Sequence, residues 1–189
     1  MLKKIIVVTF LLVGSLLSVA GASTSEKDKS VIAILTVNNS ELEDSGYINE
    51  YAIDRLSTKF QGQATILTGT ELVEKIKSKG ITDLQNTDDV KLTDALKELG
   101  VTNLVRAEIG KIEVKRGIKM GLMIKKWCSA DVPATITVTD ITKDVSLYNK
   151  TIAEKGKNEV SLGFASSSGA IKIALGKVFE QFDAEFRLP

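Results

Sequence analysis

The chain of 189 residues contains no histidine, a single cysteine, two prolines and only 5% aromatic residues. Without histidine there can be no Ser-His-Asp or Cys-His catalysis, no HExxH metal site, no two-His-one-carboxylate iron centre and no histidine pH switch. The lone Cys128 excludes a cysteine-based zinc cluster and any intrachain disulfide. An excess of one charge is lacking too, because 25 Lys+Arg stand against 24 Asp+Glu. A general nucleic-acid binder normally carries a strong basic excess. The expectation is therefore a non-enzymatic protein with no metal, no cofactor and no nucleic-acid partner.

What is present begins with an export signal. Lys3 and Lys4 supply a charged start, Ile5 to Leu17 an apolar run broken only by Thr9, Gly14 and Ser15, and Ala20-Gly21-Ala22 an A-x-A cleavage site. Ser18-Val19-Ala20 is a near alternative. The apolar run falls short of the roughly 20 residues that a spanning helix needs, although retention as an anchor is the competing reading. No cysteine lies near the cleavage site, so lipid attachment is not expected. The sequence thus divides into a signal peptide (1–22), a polar flexible lead (23–30) and a single domain (31–189). The mature protein is expected in the periplasm or outside the cell, soluble and not lipidated. Losing Lys3 and Lys4 turns a formal net charge of +1 into −1.

Val31 to Val37 (VIAILTV) reads as a strand buried on both faces. Ile48, Ala52, Leu56 and Phe60 recur at helical spacing after a polar loop in which Ser45 is a helix-cap candidate, and this helix stops at Gly62. Ala64 to Leu67 is short and β-prone. Thr68 with Glu71 has the form of a capping box for a helix that buries Leu72, Val73 and Ile76 and ends at Gly80. Asp88 or Asp89 caps a third helix, with Val90, Ala95, Leu96 and Leu99 inward and Gly100 at its end.

From Val101 the period becomes that of strands. Val105, Ala107 and Ile109 alternate with polar residues, and Ile112 and Val114 continue in the opposite phase, the mark of a β-bulge at Gly110. The alternation resumes after Arg116-Gly117, so 109–126 reads as a hairpin turning there. Pro133 suits a strand start or an edge. A second hairpin runs from Ala134 through Thr142-Lys143-Asp144 to Ile152. Ile171, Ala174, Leu175, Val178, Phe179, Phe182 and Phe186 mark an amphipathic last helix. The predicted fold class is mixed α/β, one mixed sheet with helices packed on it, in the order β-α-β-α-α-β-β-β-β-α.

This pattern resembles a group of exported bacterial domains. The strand VIAILTV, the segment ATILTGTEL entering a helix, the stretch DALKELGVTNLVRAEIGKI and the hairpin ATITVTDITKDVSLYNKTI are similar to the curli-secretion pore type, to the N-terminal domain of the Tol-system propeller protein and to the penicillin-binding-protein activator lipoproteins. The resemblance spans about residues 31 to 186. It implies an envelope-associated accessory role without enzymatic activity.

The most unusual local composition lies between Lys111 and Trp127. Lys111, Lys115, Arg116, Lys119, Lys125 and Lys126 oppose only Glu113 there, with Met120, Leu122, Met123, Ile124 and Trp127 interleaved. Such a segment suits docking to an envelope protein partner, self-association or an anionic membrane surface. It equally suits a half-buried strand pair whose lysines form its solvated face. The oxygen-rich loop Asn38 to Asp44 lacks the spacing of a calcium loop and reads as solvated acids. Ser166-Ser167-Ser168-Gly169 reads as a helix cap, Cys128 as a buried small residue, and Asp131, Asp140 and Asp144 as turn carboxylates. The leading functional expectation is an exported binding or assembly module of the bacterial envelope. The alternatives are a carrier of a small exported ligand, held between sheet and helices, and a carboxylate-based hydrolase.

Overall fold

The computed structural model describes residues 30–42, 45–82, 88–120, 123–161 and 163–189. The segment predicted as an export signal and all of the predicted lead before Ser30 lie outside the described residues, as do Glu43, Asp44 and Leu122. Ten elements follow in order: β1 (Val31–Asn38), α1 (Gly46–Phe60), β2 (Thr65–Thr68), α2 (Gly69–Ser78), α3 (Asp89–Glu98), β3 (Asn103–Ile109), β4 (Glu113–Lys119), β5 (Lys125–Asp140), β6 (Val145–Val160) and α4 (Ser167–Glu185). The predicted class and element order hold.

One mixed sheet carries the fold. β1 is parallel to β2 and β3, and β5 is antiparallel to β3, β4 and β6. The apolar stripes place the helices. Ile48, Ala52, Leu56 and Phe60 of α1 join Ala174, Leu175, Val178 and Phe182 of α4 over Ile32, Ile34, Val105, Ala107 and the even-numbered residues of β5 from Cys128 to Val138. Leu72 and Ile76 of α2 and Leu92, Ala95 and Leu96 of α3 pack on the other side, around Ala33 and Ile141. β1 is buried on both faces for this reason.

Near its C-terminus, α4 is fastened by rings and charges together. Phe182 and Phe186 stack with ring centres 5.5 Å apart, and Tyr148 meets Phe182 edge-on at 5.1 Å. The Tyr148 hydroxyl donates to Glu185 (2.9 Å), which also pairs with Lys150 at 2.6 Å. Burial, then the bond to Glu185, pushes the Tyr148 phenol up to about 12. At the other end of α4, Gly156 of β6 lets the helix backbone close in, since a Cβ there would run into the carbonyl of Ala170.

Several local expectations are corrected. β5 is 16 residues long and starts at Lys125, so Pro133 lies in mid-strand rather than at a start or an edge. It is tolerated because β3 and β4 share one side of β5 and break opposite it. Ile109 faces Ala134 and Glu113 faces Asp131, three intervening residues against two, and this is the bulge expected at Gly110. Gly110 donates its N–H to the Pro133 carbonyl (2.9 Å). The missing proline N–H therefore falls where the bulge has interrupted the ladder.

Arg116 and Gly117 are mid-strand in β4, and the strand pair runs on beyond them to the facing Lys119 and Lys125. Ser45 and Thr68 occupy N-cap positions without making the side-chain cap bond. The Thr68 hydroxyl donates across the sheet to the Ile34 carbonyl. Val90 is exposed, and Leu92 takes the inward place on α3.

Candidate functional site

The β4–β5 hairpin projects at one end of the sheet. β5 extends roughly 50 Å at about 3.3 Å per residue, and Ser30, beside Asn103 opposite Asp140, lies near its other end. At the tip, Ile118, Met120, Met123 and Ile124 are exposed, Met120 by 83%. Lys126 faces Val160 at the end of β6, which brings the β6–α4 loop alongside the hairpin. Phe164 of that loop is 87% exposed, and the Lys126 Nζ sits 4.1 Å from its ring centre.

The loop is anchored below this aromatic ring. Ser166 caps α4 by accepting from the Gly169 N–H (3.1 Å), and the Asn158 amide donates to the same hydroxyl (3.1 Å). Arg116 reaches Ser167 at 3.4 Å. Arg116, Ile118, Lys126, Trp127 and Phe164 thus border a shallow apolar depression of 350 Å³. Gly117 faces Trp127 across the strand pair, and only a glycine leaves room for the indole ring at that position.

The structure therefore brings Arg116, Lys119, Met120, Lys125, Lys126 and Trp127 to one end of the sheet. Lys111 is not with them. It lies before β4, at the far end of that strand, and pairs with Glu41 at 2.7 Å, a bond that raises its pKa. Lys115 lies mid-strand and approaches Glu113 at 3.9 Å, with both side chains exposed. Lys125 pairs with Glu159 at 3.4 Å; Lys157, more than Lys125, holds that carboxyl below its usual value. Arg116, Lys119 and Lys126 enter no ion pair among the described residues. Ile118 and Phe164 were not singled out by sequence. Phe164 lies between Gly163 and Ala165, ahead of the run Ser166–Ser168 and on no stripe, and a large apolar residue in such a turn-forming segment is the one signal it leaves.

A second concave region lies on the other face of the sheet. Leu104, Arg106 and Glu108 of β3, Thr137 and Thr139 of β5 and Asp89 of α3 contribute to a groove of 380 Å³. Arg106 pairs with Asp89 (3.2 Å) and Glu108 (2.7 Å) inside it. The remaining sequence features are structural. Cys128 is fully buried. Asn38 accepts from the Ser40 N–H (3.0 Å) in a turn, and no group of three or more His, Cys, Asp or Glu able to hold a metal occurs among the described residues.

Asp131 pairs with Lys155 at 3.1 Å. Asp140 accepts from the Thr142 hydroxyl (2.6 Å) and from Lys143, which hold it well below the usual carboxylate range. A carboxyl so held is a poor general acid. No helix among the described residues is long and apolar enough to cross a membrane.

No family model matches the chain, and no curated protein matches it. Solved structures do match in fold. The lipoprotein GNA1162 of Neisseria meningitidis superposes with a TM-score of 0.52 at 13% identity, over 82% of this chain and 99% of that one. The hypothetical protein CT253 of Chlamydia trachomatis gives 0.49 at 15% identity, over 82% and 94%. The C-terminal domain of LpoB from Salmonella enterica gives 0.43 at 11%, over 69% and 85%. At these identities a likeness speaks to fold alone, and of these three GNA1162 alone exceeds a TM-score of 0.5.

Proposed function

We propose that this chain is an exported, non-enzymatic binding or assembly module of the bacterial cell envelope, which acts through the tip of its β4–β5 hairpin. The observation that carries this reading is the cluster of exposed Ile118, Met120, Met123, Ile124 and Phe164 beside Arg116, Lys119, Lys125 and Lys126. Contiguous exposed apolar surface rimmed by charge marks interaction sites in soluble proteins. Its export signal and its likeness in fold to a bacterial lipoprotein support the compartment. Lys119, Lys125 and Lys126 changed together to Glu should abolish co-purification of the protein with envelope components. Unchanged recovery would remove the hairpin from the account.

A second reading, carriage of a small polar ligand, is favoured by the 380 Å³ groove between α3 and the sheet. Pockets of this size accommodate small ligands. Native mass spectrometry of protein taken from its source would detect such a passenger, and a mass equal to that of the bare chain would count against it.

A further inference from the structure

We propose that the partner of the hairpin tip is the surface of an anionic phospholipid bilayer, an inference that rests on the docking reading above. Two features separate a bilayer from a protein partner. The first is the shape of the apolar surface. A protein partner would have to supply packed pockets to receive such side chains, whereas a bilayer needs none, and Met120 and Phe164 stand out at 83% and 87% exposure. Side chains that project in this way fit the boundary between headgroups and acyl chains, where apolar residues enter a few ångströms and tryptophan is favoured.

The second feature is charge. Residues 114–127 hold Lys115, Arg116, Lys119, Lys125 and Lys126 and no acid. Arg116, Lys119 and Lys126 are free of ion pairs among the described residues, and Lys126 lies against the exposed Phe164 ring. A cluster of lysine and arginine beside projecting apolar side chains is complementary to lipid phosphates above an acyl layer. Insertion stops at the surface. β4 spans seven residues, fewer than the 9 to 11 of a membrane-crossing strand, as a rough rule, and Arg116 and Lys119 lie within it.

The test is flotation of residues 23–189, which contain every described element and both halves of the core, with vesicles of phosphatidylglycerol mixed equally with phosphatidylcholine. The protein should float with these vesicles, remain behind with pure phosphatidylcholine, and be released by high salt. Two variants, Met120→Ser with Phe164→Ser at exposed positions and Lys119→Glu with Lys126→Glu at an exposed and a half-buried one, should each weaken binding by about tenfold or more. Absence of flotation, or flotation insensitive to both salt and variants, would overturn the inference. A photocrosslinker at position 120 in producing cells separates the two levels. Crosslinks to lipid support the bilayer. Crosslinks to a protein without vesicle binding overturn the lipid but keep the docking reading, and crosslinks to neither defeat both.

Discussion

Gly117 and Trp127 face each other across β4 and β5, and the indole ring lies so close over the glycine that a Cβ at residue 117 would fall 2.5 Å from the ring. Trp127 is the sole tryptophan of the chain, so its emission reports on the hairpin alone. Gly117→Ala should shift that emission and lower stability by about 1–3 kcal/mol through overpacking. An unchanged spectrum with an unchanged urea midpoint would show that the ring does not cover residue 117.

Gly156 performs a different task, admitting the backbone of α4 against β6 at Ala170. Because backbone cannot step aside as a side chain can, Gly156→Ala should cost at least about 1–3 kcal/mol. Gly46→Ala is the control, since its Cβ would meet open space and a surface change of this kind stays within about 0.5 kcal/mol. Equal effects of the two substitutions in chemical denaturation would contradict the packing of α4 described above.

Acid should loosen the C-terminal fastening. Hydrogen bonding from Lys150, then from Gln181 and Tyr148, lowers the Glu185 carboxyl from 4.5 to about 2. A folded-state pKa that is depressed stabilises the native protein above the ordinary value, and the contribution is lost as pH falls through the folded value. Wild type should therefore exceed Lys150→Met in urea midpoint at neutral pH. The gap should narrow from about pH 4.5 downward and be nearly closed at pH 2. A gap that stays constant over that range would show that Lys150 acts on stability by some route other than Glu185.

The elements with one clear period were legible in the sequence. The stripe from Ile171 to Phe186 gives α4, the run VIAILTV a central strand, and the reversal of phase after Ile109 the bulge. Three features misled the local reading for physical reasons. Gly117 resembles a turn residue because an aromatic ring on a neighbouring strand leaves no mark in local sequence. Pro133 resembles a strand start because the interruption that tolerates it lies on other strands, between Ile109 and Glu113. Val90 is exposed because five residues separate it from Ala95, which turns it about 140° around the helix, off the face of Leu92, Ala95 and Leu96. At the candidate site the basic run was visible, whereas Phe164 joins it only through the folding of the β6–α4 loop against the hairpin.

The most direct test of the central claim, that the hairpin tip is covered by a partner in the envelope, needs no substitution. Met120 and Met123 are the only methionines besides Met1, and both are exposed in the isolated protein. Exposed methionine is readily converted to sulfoxide by peroxide. Brief peroxide treatment followed by mass spectrometry should oxidise both residues quickly in the purified protein and markedly more slowly in intact envelopes. Equal oxidation in the two settings would contradict the account.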